Sequence, residues 1–382
     1  MAEQARARYR LSDTLVSVVF IAVLVVPSVD LFFGIDKTPM SDRREIGMPE
    51  WPDDASGLGR YAGDLRYFLM NRFGFEGAMV RAHGLVKHDV LGVSPSMRVI
   101  MGSDGWYFLD LYRGNVDPAG YRRFADEGVE RWRAAIEGRR AWLAERDVAY
   151  LFMVAPDKAT VYTEYLPPAY RGLAEATRLA LLTEEMMRSD GAGYLDLAGV
   201  LREAKDRGRL YHKTDTHWNE LGAYEAYRAI AGVLSGRWPG LVPIERDRLV
   251  VREEAGSGGD HARLMGLKDD LSEGRFYTSV AGAVAHESEP EGPLRYDTID
   301  VGGREYVRTV SERGEIGRAV ILRDSFGDLL VPYLSEHFRE AVWVWTDEFD
   351  EGVIEGFEPD VVIQEIVERK LLTHEPKMPG VR

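Results

Sequence analysis

The chain has 382 residues, of which 45% are hydrophobic, enough for one large domain or two ordinary ones. A net charge of −15, with no long Lys/Arg run after residue 10, argues against nucleic-acid binding. It does not forbid an anionic sugar as substrate, because the field in a cleft can differ in sign from the total. There is no cysteine, which excludes disulfides, thiol nucleophiles and cysteine-based zinc sites.

Arg6, Arg8 and Arg10 precede the apolar run Leu15–Val26, and the charge-free stretch extends from Thr14 to Val29. With Leu31 to Gly34 added it approaches the ~20 residues of a membrane span, although Asp30 interrupts its outer end. Positive charge before the run and acidic residues after it put the N-terminus in the cytoplasm and the rest of the chain outside. Residues 1–35 are therefore expected to be a membrane anchor. A cleaved signal peptide, which gives the same compartment, and a buried core helix are the rival readings.

Residues 36–56 carry Pro39, Pro49 and Pro52 and read as a linker. Residues 57–92 read as helical. Val99–Leu109, two apolar runs about Ser103-Asp104-Gly105, predicts a hairpin. A helix is expected over Arg122–Arg146. Val148–Ala155 is continuously apolar, as a buried parallel strand is. A helix over 172–189, a short strand at Tyr194–Leu197 and a short helix over 198–205 follow. Glu220–Leu234 is strongly helical, with Asn219 suited to its N-cap. Residues 238–317 change texture, with alternating runs such as Tyr296–Val301, and read as an inserted β-rich segment. The pattern resumes with strands at Ala319–Leu322, Ala341–Trp345 and Asp360–Ile363, a helix over Leu329–Glu340, and a short terminal helix. Strands alternating with helices predict an α/β fold, with a mostly parallel central sheet flanked by helices. Ligands in such folds bind at the carboxyl ends of the strands.

Two segments carry chemistry. In Asp215-Thr216-His217-Trp218-Asn219, residues i and i+2 of an extended loop project to one side. The Asp215 carboxylate can then fix the tautomer of His217 and leave the other ring nitrogen as a base. A surface loop whose Asp and His merely cap or form ion pairs is the bland alternative. His212, Asp215 and His217 also spell H-x-x-D-x-H, a pattern that can contact a divalent ion, but no second cluster of similar density accompanies it. In Arg323-Asp324-Ser325-Phe326-Gly327, Ser325 follows an apolar strand and precedes a helix. Its hydroxyl and backbone N–H then stand where negative charge is stabilised, and Gly327 lets the backbone approach a ligand. An N-cap serine is the ordinary alternative. Together the segments supply the parts of a serine acyl-transfer site in the order Asp, His, Ser, with no metal or cofactor.

The region after the anchor resembles the alginate O-acetyltransferase family, the AlgJ/AlgX group, whose domain is SGNH-hydrolase-like with permuted motif order. The specific resemblances are Tyr211–Tyr224, which contains the D-T-H-W-N block, and Arg323–Phe326. Weaker ones are Phe68–Gly74, Leu91–Pro95, Val99–Phe108, Val154–Lys158 with Val161-Tyr162 and Tyr165–Pro167, Gly258–Asp260, Leu264–Leu267, and Pro359–Ile363 with Glu368-Arg369. Because the chain ends soon after the core, it looks like the shorter, membrane-anchored type without an added carbohydrate-binding module.

The resemblance implies that Asp215, His217 and Ser325 form the catalytic triad of an O-acetyltransferase. An acetyl-serine would pass its acetyl group to a hydroxyl of an extracytoplasmic polysaccharide, and a multi-pass membrane acyltransferase would supply that group. An acetyl esterase with the same triad and a non-catalytic polysaccharide-binding subunit are the alternatives. Trp218 and Tyr162 are expected either to stack on a sugar ring or to pack internally. Lys158 and Arg323 are expected either to hold an anionic sugar or to form ordinary ion pairs.

Overall fold

The computed structural model describes residues 2–36, 47–54, 57–71, 74–110, 118–175, 177–189, 191–287 and 306–380. Much of the expected linker and the alternating run Tyr296–Val301 lie outside them. Two compact units emerge, Met1–Ser96 with Ala262–Asp270, and Met97–His261 with Leu271–Arg382.

The first unit contains helices α1 (Ala2–Phe33), α2 (Leu58–Asn71) and α3 (Glu76–Leu85). Within α1, the 18-residue window Thr14–Leu31 has a mean hydropathy of 2.4 and is long and apolar enough to cross a membrane. Leu15, Val16 and Phe20 are all more than 60% exposed, so the run is not a buried core helix. Asp30 closes the helix end. One of its oxygens accepts from Asp36 N at 2.5 Å and the other from Phe75 N at 2.7 Å.

The second unit opens with the expected hairpin, β1 (Val99–Met101) antiparallel to β2 (Tyr107–Leu109). Helix α4 (Pro118–Ala144) leads into β3 (Ala149–Ala155). After α5 (Lys158–Val161), α6 (Pro168–Glu175) and α7 (Arg178–Ser189) come β4 (Tyr194–Leu195), α8 (Leu197–Ala204) and α9 (Glu220–Ser235). The remaining strands are β5 (Leu249–Ser257), β6 (Ser272–Val280), β7 (His286–Glu287), β8 (Tyr306–Val310), β9 (Ile316–Arg323), β10 (Phe338–Trp345) and β11 (Val361–Val367).

A seven-stranded sheet in the order β4-β3-β11-β9-β10-β8-β7 forms the centre. The five strands from β4 to β10 are parallel, and β8 and β7 add an antiparallel edge. Side chains alternate between its two faces, as a pleated strand requires. Leu151, Met153, Ile321, Trp343 and Ile363 pack in one core with α8 and α9. Phe152, Val154, Val320, Leu322, Val342 and Val362 pack in the other with α4 and α7. Both faces are therefore covered, which is why these strands read as continuous apolar runs.

Three expectations need correction. The region read as one inserted β-rich segment divides. Strands β5 and β6 form a separate antiparallel ribbon, whereas β7 and β8 extend the main sheet. The helix expected over 329–340 is a 3-10 run Ser325–Leu330, a single α-turn Val331–Leu334 and a 3-10 turn Ser335–His337. Strand β10 already begins at Phe338, because its polar Glu340 is paired with Arg308 of β8 at 2.8 Å. Strand β11 runs to Val367, and the acceptors Gln364 Oε1 and Glu365 Oε2 of its polar centre find partners inside the protein. Gln364 Oε1 accepts from Tyr150 Oη at 2.8 Å and from Arg139 Nη1 at 3.2 Å.

Asn219 caps α9 as its sequence position predicts. Its Oδ1 accepts from Leu221 N and Gly222 N, and its Nδ2 donates to Arg209 O at 2.6 Å. Because Asn219 is fully buried, Asn219→Ala removes a cap and strands three backbone partners. A loss of about 1–2 kcal/mol is expected, read as a lowered thermal midpoint of the detergent-solubilised chain.

Candidate active site

The Asp215 loop is closed by a single antiparallel bridge between Tyr211 and Trp218. Asn219 N donates to Leu210 O at 2.9 Å, so the start of α9 anchors the loop's far side. Asp215 and His217 meet through a tight turn, not through the pleat of an extended segment. Asp215 Oδ1 accepts from His217 N at 3.1 Å and from His217 Nδ1 at 2.7 Å. Asp260 N donates to the other carboxylate oxygen at 3.1 Å. Burial pushes the Asp215 carboxyl up, but the bond to His217, its charge, and the His217 and Asp260 N–H groups hold it well below the usual carboxylate range. An ionised Asp215 can only accept, so Nδ1 carries a proton, and in the neutral imidazole the Nε2 lone pair is left as the acceptor.

That lone pair faces Ser325. His217 Nε2 and Ser325 Oγ are 2.8 Å apart across 108 positions of sequence. The serine stands just past the carboxyl end of β9, and Asp324 fixes it. Asp324 Oδ1 accepts from Phe326 N at 2.9 Å, and Oδ2 from Val367 N at 2.8 Å. Glu365 of β11 accepts from Asp324 N at 3.1 Å. Burial, with Asp324 beside it, pushes the Glu365 carboxyl well above its ordinary range. The arrangement can draw the serine proton onto His217 as the oxygen attacks an electrophile.

The other residues singled out from sequence lie close by but face inward. Trp218 is fully buried, donates from Nε1 to Phe326 O at 3.1 Å, and packs edge-on against the Phe326 ring. Tyr162 is buried against Trp106 with ring centroids 4.4 Å apart, and its Oη accepts from Leu210 N. Neither offers a face to a sugar. Arg323 is buried over the Trp345 ring and paired with Asp328 Oδ1 at 2.6 Å. Lys158 Nζ donates to the carbonyls of His212, Lys213 and Asp215. Both cations serve the protein's own backbone and carboxylates. Gly327 does not open the backbone to a ligand either, because a Cβ there would lie 2.7 Å from Arg323 Cβ.

The H-x-x-D-x-H pattern does not assemble. His212 turns toward Glu273, 4.0 Å away, and burial lowers it to about 4. Among the described residues, those whose ligand atoms converge within 4.8 Å are Asp215, His217 and Asp260. Asp260 Oδ2 stands 3.9 Å from His217 Nδ1, a second carboxylate beside the imidazole. The glycine before it matters sterically. A Cβ at Gly259 would come within 2.3 Å of Asp215 Oδ2. Arg369, at the carboxyl end of β11, pairs with Asp157 Oδ1 at 2.7 Å and lies over the Phe326 ring. Asp260 and Arg369 fall in the weaker resemblance blocks Gly258–Asp260 and Glu368-Arg369 with no role assigned to them, whereas Glu273 was not separable from surface charges, since no periodic pattern marks it.

Residues 99–290, half of the chain, match the ALGX family model, described as the SGNH hydrolase-like domain of the acetyltransferase AlgX. The chain is 35% identical over 127 residues to the "Probable alginate O-acetylase AlgJ" of Pseudomonas aeruginosa and 31% identical over 137 residues to that of Pseudomonas putida. These alignments cover 33% and 36% of this chain and 30% and 34% of those proteins, so the chain spans about a third of the length of the curated relatives it matches. Among solved structures, Bacillus cereus PatB1 carrying a sulfonyl adduct superposes with a TM-score of 0.52 at 15% identity, over 73% of this chain and all of that one. The O-acetyltransferase domain of Pseudomonas putida AlgJ gives 0.46 at 20% identity, over 74% and 95%. The PatB1 match shows a shared fold. The chain belongs to the ALGX family of SGNH hydrolase-like acetyltransferase domains.

Proposed function

We propose that this protein is a serine-dependent O-acetyltransferase in which Ser325 is the nucleophile, His217 the general base and Asp215 its orienting carboxylate. The observation that carries the reading is the unbroken chain of contacts from Asp215 Oδ1 to His217 Nδ1 (2.7 Å) and from His217 Nε2 to Ser325 Oγ (2.8 Å). Ser325 Oγ attacks the carbonyl carbon of an acetyl ester while its proton passes to Nε2. The tetrahedral intermediate collapses to acetyl-serine, and the imidazolium returns the proton to the departing alkoxide. A sugar hydroxyl then attacks the acetyl-serine, giving its proton to His217, and Ser325 is released with the proton restored. Among the described residues the Ser325 N–H meets no acceptor, which suits it to receive the oxyanion.

The acceptor is proposed to be an extracytoplasmic polysaccharide, in keeping with relatives named as alginate O-acetylases. The apolar window Thr14–Leu31 supports a single-pass anchor, and the arginines before it support an outward-facing domain. A domain held at the membrane surface is well placed to take acetyl groups from a multi-pass membrane acyltransferase.

With p-nitrophenyl acetate and an anionic oligosaccharide, the full chain in detergent is expected to form acetylated sugar. Ser325→Ala and His217→Ala should each lower turnover by about 10³-fold, within the range for losing a nucleophile or its base. Acetate release without sugar acetylation would favour the esterase reading. Unchanged turnover in Ser325→Ala would exclude Ser325 as nucleophile.

Gly259→Ala is expected to push Asp215 off His217 and lower turnover by about 100-fold with KM little altered, as a misplacement of about 1 Å does. Steady-state kinetics beside a thermal melt would check this, and wild-type kinetics would contradict it.

A further inference from the structure

The loop that carries Asp215 and His217 is gripped on its main chain by two oppositely charged buried side chains. Lys158, the first residue of α5, is 3% exposed. Its Nζ donates to His212 O at 2.8 Å, Lys213 O at 2.9 Å and Asp215 O at 2.6 Å. An ammonium has three donors and no acceptor, so the three carbonyls use it fully. Glu273, near the start of β6, is 9% exposed. Its carboxylate accepts from Lys213 N at 2.7 Å, Thr214 N at 3.1 Å and Thr214 Oγ1 at 2.5 Å, with Arg209 Nη1 at 3.1 Å. One side chain takes the loop's carbonyls and the other its N–H groups. The loop has a single ladder bridge, so these bonds replace the secondary structure that would otherwise satisfy a buried backbone.

We propose that Lys158 and Glu273 are positioning residues, a two-sided clamp on residues 212–215 that aims the His217 imidazole at Ser325. The inference rests on the serine-nucleophile reading above and deepens it, because it gives the β5–β6 ribbon a part in the chemistry. Neither side chain touches the reacting atoms. Each acts through charge-assisted bonds to the loop, which are stronger and more directional than neutral ones. Lys213 is held from both sides and Thr214 by Glu273, and the two directly precede Asp215, so a slackened loop carries Asp215 and His217 with it.

The clamp also bears on pH. Burial pushes the Lys158 ammonium down to about 7, the charges of Glu273 and Asp215 pull it back up, and Arg209 opposes them. The other groups facing Nζ are His261, whose Nδ1 is 3.5 Å away, and the rings of Trp106 and Phe108. Burial keeps His261 and His212 well below their usual range, so both are neutral there. As pH rises through the Lys158 range, the ammonium loses its charge and one of three donors, and the grip on the carbonyls weakens.

The test is the rate at which phenylmethylsulfonyl fluoride labels Ser325 in the full detergent-solubilised chain, followed by mass spectrometry across pH 6–10 beside a thermal melt. Lys158→Met and Glu273→Gln are expected to be labelled about 10- to 100-fold more slowly while still melting cooperatively. The wild type should show a falling alkaline limb that Lys158→Met lacks. Glu273→Gln keeps the shape of the side chain and reads the clamp if the methionine variant does not fold. Folded variants labelled at the wild-type rate, with the alkaline limb kept in Lys158→Met, would overturn the clamp. Failure of both to fold would also overturn it, because the two residues would then serve the fold and not the aim of the base. Absence of label on wild-type Ser325 would instead remove the serine reading itself, and the two failures are thereby distinguished.

Discussion

A hydrogen bond of 2.8 Å between His217 Nε2 and Ser325 Oγ joins two loops that are 108 residues apart in the chain. Its geometry is set by the sheet. Strands β3, β11 and β9 are parallel neighbours, and their carboxyl ends deliver Lys158, Arg369 and Ser325 to one edge. Asp324 ties two of those ends together through Phe326 N and Val367 N. The serine is thus held by the register of the strands, whereas the imidazole is held by a loop that must be fixed by other means. The division follows from chemistry, since a hydroxyl at a strand end inherits the rigidity of the ladder and an imidazole on a six-residue loop does not.

Charge near the site is taken up by the protein's own backbone and side chains. Lys158 faces three carbonyls, Glu273 faces two N–H groups and a hydroxyl, and Arg323 faces Asp328. Burial raises Glu365, and lifts Glu368 to about 7, while it lowers His212 and His261. Burial also raises Asp215 and Glu273, but both are held below the ordinary carboxylate range, Asp215 by its bonds to His217 and two N–H groups and Glu273 by the Thr214 hydroxyl and the loop N–H groups. A buried carboxylate beside a neutral imidazole is the arrangement that stabilises an imidazolium when it forms.

Much of this was readable from residues alone, and the reasons differ by element. The strands were visible because both faces are covered, which makes Val148–Ala155 and Ala319–Leu322 continuously apolar. Asn219 and the Asp215–His217 spacing were visible because caps and short turns are local. The orientation of Trp218 and Tyr162 was not, because an aromatic beside a reactive residue looks the same whether it faces a ligand or the core. Glu340, Gln364 and Glu365 hid the true extents of β10 and β11, since their polar groups find partners only across the sheet. Glu273 was invisible for a similar reason: its partners lie about 60 positions away, on a loop whose need for acceptors shows only in three dimensions.

If Ser325 is the nucleophile, its oxygen carries the acetyl group between the two half-reactions. The decisive experiment is brief incubation of the full chain with p-nitrophenyl acetate, acid quenching and peptide mass spectrometry. One acetyl group is expected on the peptide containing Ser325, lost again on adding acceptor sugar and absent when His217 is replaced by alanine. A folded, turning-over enzyme with its acetyl group on another residue, or with no covalent acetyl at any time point, would contradict that role.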